Sequence, residues 1–200
     1  MKSLKALFLL SILFLSSCAA NYNLINPPAL NYLSTSNDKS VTLDYKYDLL
    51  PKKYAKKESK NSVNLLAVKI SNNSGRDLVF GKDIKLTYGN GSEAILVEND
   101  QVFNKLRQQT ALYLLYLLLT PAKFTTTSNN VQTSSVPVGY GLGPGLTALN
   151  MGIAASANGK FKEELSKYNI IGTTIKNGAT VYGLVGISAD HFEGLKVKVE

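Results

Sequence analysis

The chain contains 200 residues, with 22 basic side chains, 14 acidic side chains and one cysteine. This length is enough for one domain with its own hydrophobic core. A single cysteine excludes an internal disulfide. Nucleic acid is disfavoured as a partner because only Arg76 and Arg107 carry the planar fork that recognises phosphates and bases.

The first 17 residues have the organisation of an export signal. Lys2 and Lys5 precede an apolar run from Ala6 to Leu15, and two small residues follow. The run is too short for a membrane-spanning helix, which takes roughly 20 residues. We therefore expect residues 1–17 to be a signal peptide that is removed, leaving a chain that begins at Cys18 with a net charge of +6.

The segment Leu15-Ser16-Ser17-Cys18 resembles the lipobox of bacterial lipoproteins, in which a leucine and two small residues precede an obligatory cysteine. The resemblance covers residues 1–18 and implies that the Cys18 sulfur carries a diacylglyceryl group and that its amine is commonly acylated too. Two or three acyl chains hold a protein stably on a bilayer. The aspartate that commonly retains such proteins in the inner membrane is missing after Cys18, so we expect the outer membrane, facing the periplasm.

The remaining chain predicts a tether and a β-rich body. Residues 18–40 are rich in Asn, Ser, Thr and Pro, which favours a flexible tether. Alternation of apolar and polar residues, with Gly and Asn turns, then predicts about seven short strands. These are the segments 41–47, 63–70, 84–88, 93–97, 173–175, 180–187 and 195–199.

These strands indicate a mainly β fold, an immunoglobulin-like antiparallel β-sandwich over residues 41–200. Such a body resembles those of many small envelope lipoproteins. Residues 101–168 interrupt the pattern and predict an inserted helical hairpin. The dense leucines of 111–119 indicate a helix over 101–120, with Asp100 as its N-cap and Pro121 ending it. An apolar segment over 146–157 precedes a short charged helix over 160–168.

The insertion is unusually poor in charge, since Lys123 is the only charged residue between Arg107 and Lys160. Two interpretations stand side by side. The hairpin contacts the membrane or a partner, including a second copy of the chain, or it folds over the sheet and completes a soluble core. Small residues at four-residue spacing permit close helix contacts. The residues expected at such a contact are Leu112, Leu115, Leu119, Ala148, Gly152 and Ser156.

Two further segments have structural explanations beside functional ones. The glycines of 139–145 match neither dinucleotide nor Walker spacing and favour a hinge. The five lysines between Lys52 and Lys60, on a loop or short helical turn, suit anionic headgroups or glycans, but a solvated loop between strands is the commoner explanation of such a cluster.

Catalysis has little support in the sequence. The chain has one histidine, His191, which neighbours Asp190 directly, and no Gly-x-Ser-x-Gly elbow. Acidic residues are too sparse for a metal site. We therefore expect no enzyme, no cofactor and no metal, but a lipid-anchored envelope protein with a structural or interaction role. The alternative is a module that binds a glycan, peptide or lipid through the sandwich loops or under the hairpin.

Overall fold

The computed structural model describes residues 18–128 and 131–200, so the predicted signal peptide lies outside the described residues. The fold is mixed α/β, with 33% helix and 32% strand, which corrects the expected mainly β class. The helices are α1 (Lys52–Asn61), α2 (Asn99–Leu106) and α3 (Gly139–Lys167), with 3-10 helices at Pro27–Ala29 and Thr110–Leu119. The strands are β1 (Ser34–Asp38), β2 (Val41–Lys46), β3 (Val63–Asn72), β4 (Leu78–Val79), β5 (Ile84–Tyr88), β6 (Leu96–Val97), β7 (Phe124–Ser128), β8 (Val131–Val136), β9 (Thr174–Ile175), β10 (Thr180–Ser188) and β11 (Leu195–Val199).

The described chain divides into two compact units. The leucine-rich unit comprises residues 18–21 and 108–158, apart from the two undescribed positions 129 and 130. The sheet unit comprises Tyr22–Arg107 and Gly159–Glu200. Of the predicted insertion over 101–168, the central part 108–158 therefore forms a unit of its own with residues 18–21, and both ends belong to the sheet unit.

The sheet unit is built on a five-stranded sheet in the order β1-β2-β3-β10-β6. All four neighbouring pairs are antiparallel, and the long central ladder pairs β3 with β10 over nine residues, from Val63–Ser188 to Ser71–Thr180. One face of this sheet packs against β5 and β11, which form a separate two-stranded ladder, and against β4 and β9. Alternate residues Leu66, Val68 and Ile70 of β3 belong to this core.

The second face of the sheet is covered by helices rather than by another sheet. Leu65 and Ala67 of β3 are fully buried although they point away from the first core. Gly186 of β10 leaves room for α2, because a Cβ there would lie 2.2 Å from Val102 Cγ2. The expected sandwich is therefore wrong: among the described residues, one face of the five-stranded sheet carries only the two-stranded ladders β5–β11 and β4–β9, and the other face is covered by helices.

The leucine-rich unit contains the 3-10 helix Thr110–Leu119, the hairpin β7–β8 and the first five turns of α3. The expected single helix over 101–120 is wrong, because α2 ends at Leu106 and a 3-10 helix begins at Thr110. The expected hinge at 139–145 is also wrong, since these glycines form the first turns of α3 with Pro144 inside the helix. Residues 160–167, predicted as a separate helix, are the end of α3.

Candidate functional site

The 3-10 helix Thr110–Leu119 presents leucines outward. In a 3-10 helix side chains three residues apart eclipse one another, so the helix carries three straight rows. Tyr113 and Tyr116 form the inner row and are 7% and 8% exposed. Leu112, Leu115 and Leu118 form an outer row and are 58%, 62% and 74% exposed. The more polar side chains are thus inside and the purely apolar ones outside.

Polar groups occupy the interior of the leucine-rich unit. Gln108 is buried, its backbone N–H donates to Asn158 Oδ1 (2.8 Å), and its carbonyl oxygen accepts from Asn158 Nδ2 (2.8 Å). The Tyr113 hydroxyl donates to Gln108 Oε1 (3.3 Å), and the Thr147 hydroxyl lies within hydrogen-bond distance of the carbonyl oxygens of Gly143 (2.9 Å) and Tyr113 (3.2 Å). These bonds satisfy groups that are costly to bury alone. The interior is therefore held by hydrogen bonds around a small apolar cluster of Tyr113, Tyr116 and Ala154.

Helix α3 turns a narrow, small-residue face toward that interior. Its buried positions recur every three or four residues, at Gly139, Gly143, Thr147, Asn150, Ala154 and Ala157. Gly139 is required by close approach, because a Cβ there would lie 2.1 Å from the Leu119 carbonyl oxygen and 2.4 Å from that of Thr120. This face of α3 thus provides close backbone contact and hydrogen bonds to the interior of the unit, but it buries little apolar surface.

The outer face of α3 and the hairpin β7–β8 extend the apolar exposure. Leu142 and Leu149 of α3 are exposed, as are the paired residues Phe124 and Val136 at the base of the hairpin. Lys123 is the only charged residue in the described part of this unit. We call the exposed apolar residues of this unit the leucine surface: Leu112, Leu114, Leu115, Leu117, Leu118, Phe124, Val136, Tyr140, Leu142 and Leu149.

The residues predicted for membrane or partner contact fall into three places. Leu112 and Leu115 belong to the leucine surface. Leu119 is half-buried and packs on the inner cluster instead. Ala148, Gly152 and Ser156 are exposed on α3. Sequence reasoning assumed 3.6 residues per turn and so missed Leu118, which the 3-10 geometry places beside Leu112 and Leu115.

Cys18 lies in the same unit as the leucine surface and is exposed. The residues after it are held by hydrogen bonds: the Ala19 N–H donates to Asn150 Oδ1 (2.6 Å), and Ala20 exchanges two bonds with the Gln108 side chain (2.9 and 2.6 Å). Ala19 also packs against the inner cluster. The predicted lipid attachment point is therefore fixed to this unit.

The next residues, also expected to be a flexible tether, are built into the sheet unit. Buried Glu164 accepts three hydrogen bonds from this segment, from the Tyr22 hydroxyl (2.6 Å) and the N–H groups of Ile25 (3.0 Å) and Asn26 (2.8 Å). Burial, followed by the bond to Glu164, raises the pKa of Tyr22. Residues 34–38 then form β1. Only three residues separate Cys18 from Tyr22, so their Cα atoms can be at most about 14 Å apart.

The loop between β10 and β11 holds the single histidine. His191 is exposed, and its neighbour Phe192 stacks on Tyr47 with ring centroids 5.0 Å apart. Burial raises the pKa of Tyr47. Among the described residues no group of three or more His, Cys, Asp or Glu side chains is placed to hold a metal ion.

Within residues 18–128 and 131–200, no helix combines the length and the apolar character needed to cross a bilayer. No protein family, curated protein or solved structure matches this chain.

Proposed function

We propose that this chain is a lipid-anchored envelope protein whose leucine-rich unit rests in the surface of the membrane that holds its lipid. The observation that carries the proposal is the inverted polarity of the 3-10 helix Thr110–Leu119. Exposed leucines on a water-facing helix lose the free energy that burial in an apolar phase would give them, about 1.5–3 kcal/mol each. Acyl chains supply such a phase.

The position of Cys18 supports the same conclusion. A lipid on Cys18 would be attached to the unit that carries the leucine surface, and Ala19 and Ala20 hold the attachment point there. A lipoprotein with a long flexible tether can keep its body away from the bilayer. Here the short, packed segment after Cys18 leaves the leucine-rich unit next to the lipid surface.

Shallow contact fits the dimensions of the unit. The 3-10 helix has ten residues, which at about 2.0 Å per residue reach roughly 20 Å, less than the hydrocarbon thickness of about 30 Å. The leucine surface therefore suits one leaflet, with the helix near the interface, as amphipathic interfacial elements bind. Such a protein would have a structural or interaction role at the membrane surface.

The chain contains no tryptophan, so a single introduced indole reports on one position. The test uses the mature chain with Cys18→Ala, which removes the lipid, and Leu118→Trp. On phosphatidylcholine vesicles we expect a blue shift of the indole emission and quenching by brominated acyl chains. Ile95→Trp is the control, because Ile95 is equally exposed but belongs to the sheet unit. Equal quenching at the two positions, or none at position 118, would refute the proposal.

A further inference from the structure

Helices α1 and α2 of the sheet unit carry a dense group of cations. Lys56 and Lys60 of α1 are exposed, as are Lys105 and Arg107 at the end of α2, and Lys53 and Lys57 are half-buried between them. We call these six residues the cationic face. The segment predicted as a loop or short helical turn is thus a ten-residue helix, and Lys53, Lys56, Lys57 and Lys60 share one side of it.

Hydrogen bonds hold the ends of the two helices together. Asn61 Nδ2 donates both to the Lys57 carbonyl of α1 and to the Lys105 carbonyl of α2, at 2.9 Å each. The Lys57 ammonium donates to the Arg107 carbonyl. These contacts bring the cations of both helices into one surface of the sheet unit. Burial, and then the charges of Lys60, Arg107 and Lys53, lowers the pKa of Lys57.

Helix stability does not account for this arrangement. Lys60 and Lys105 lie in last turns, where cations interact favourably with the helix dipole, but α1 has no acid in its first turn and carries lysines there. Its single acid, Glu58, is buried and accepts from the Leu65 N–H (2.8 Å). Lys56, Lys60 and Lys105 have no ion pair within 4 Å among the described residues. Lysines in the first turn of a helix oppose its dipole, and no ion pair of the described residues compensates Lys56, Lys60 or Lys105, which indicates that the cations have a function.

We propose that the cationic face binds the anionic phosphate headgroups of a phospholipid bilayer. Lysine is a compact point charge suited to a fluid array of phosphates, whereas a structured phosphate site favours arginine. Tyr22 follows Cys18 by four residues and packs on Tyr54 of α1, with ring centroids 5.7 Å apart. A short stretch of chain therefore connects α1 to the predicted lipid attachment point, which favours the same membrane as the binding partner. This inference rests on the proposed membrane attachment but uses a different surface and a different force.

The experiment compares vesicles of phosphatidylcholine with an equal mixture of phosphatidylcholine and phosphatidylglycerol, using the mature Cys18→Ala chain. We expect tighter binding to the mixture and loss of that advantage at high salt. The triple variant Lys56→Gln, Lys60→Gln, Lys105→Gln should bind the mixture roughly 100-fold more weakly, about fivefold for each lysine. Circular dichroism checks that the variant is folded.

The matched control removes three lysines elsewhere in the sheet unit, through Lys82→Gln, Lys176→Gln and Lys196→Gln, all at exposed positions. It has the same net charge and should keep the preference for the mixture. Equal loss in both triple variants, or no preference in the parent chain, overturns the inference. Binding to soluble dextran sulfate but not to the mixed vesicles overturns it in favour of a polyanionic polymer. Quenching of the indole in Leu118→Trp on neutral vesicles tests the proposed function separately, so either proposal can fail alone.

Discussion

At the scale of single residues, Glu58 links the stability of the sheet unit to pH. Its side chain is 2% exposed; Oε1 accepts from the Leu65 N–H, and Oε2 has no hydrogen-bond partner among the described residues. Burial raises the pKa of this carboxyl to about 7; the Leu65 N–H opposes the rise and Asp48 adds to it. The folded state therefore binds a proton that the unfolded state releases near pH 4.5.

Because the pKa of Glu58 is higher in the folded state, proton binding favours the folded state, and this contribution is fully present below the unfolded pKa of 4.5. It is lost as the pH rises through about 7. We expect the free energy of unfolding to fall by about 3 kcal/mol between pH 4.5 and pH 8 because of this group. Glu58→Gln, neutral throughout, should flatten this dependence and be more stable than the parent at pH 8. Urea titrations on the Cys18→Ala chain measure both, with the exposed Glu163→Gln as control. A Glu58→Gln profile that keeps the parent's slope would contradict the assignment.

At the scale of elements, most strands of the sheet unit were predictable, whereas helix α1, which packs on the sheet, was not. Strands β2, β5 and β11 lie where alternation predicts them, because a strand with one buried face alternates apolar and polar residues. Strands β3 and β10 are buried on both faces over most of their length, and their β-favouring residues indicate them instead. Helix α1 left no comparable signal, since among its described side chains only Tyr54 and Glu58 are buried, and one of those is an acid. Because α1 was not predicted, the strands alone favoured a sandwich of two sheets.

The leucine-rich unit was predictable in composition but not in geometry. Leucine density indicates a helix, but it does not distinguish 3.0 from 3.6 residues per turn, and that difference decides whether Leu118 or Leu119 joins the outer row. No strand was predicted where the hairpin β7–β8 lies, because its Thr and Ser residues lack an apolar alternation. The inner face of α3 makes its contacts largely through glycines and polar side chains, so no periodic pattern of apolar residues marks it in the sequence.

The packing of α3 on the 3-10 helix gives a matched pair of glycine variants. Gly139→Ala forces a Cβ against backbone carbonyls and should destabilise the leucine-rich unit by about 1–3 kcal/mol. Gly152→Ala meets open space on the same helix and should stabilise it by up to about 1 kcal/mol. Both are made in the Leu118→Trp background, where the indole fluorescence during urea titration follows this unit. A harmless Gly139→Ala would mean that the two helices do not approach as closely as described.

At the scale of the whole molecule, the two units differ in what holds them together. The sheet unit buries a large cluster of aliphatic residues between its layers. The leucine-rich unit has an inner cluster of only three buried residues within the described chain and leaves its leucines outside. Apolar burial is the dominant favourable term in folding, so we expect the leucine-rich unit to have a small free energy of unfolding in water. The membrane would then serve as part of its core.

Amide hydrogen exchange of the mature Cys18→Ala chain separates these two sources of stability, because exchange reports local opening. In water we expect fast exchange across 110–119 and 139–158 and slow exchange in β3 and β10. Phosphatidylcholine vesicles should slow exchange in the leucine-rich unit by at least tenfold, since even about 1.4 kcal/mol of binding free energy changes the open population that much. Protection of β3 and β10 should not change, which makes these strands the internal control. Slow exchange of 110–119 without vesicles would mean that the unit is stable in water despite its exposed leucines, and the membrane would not be needed to complete it.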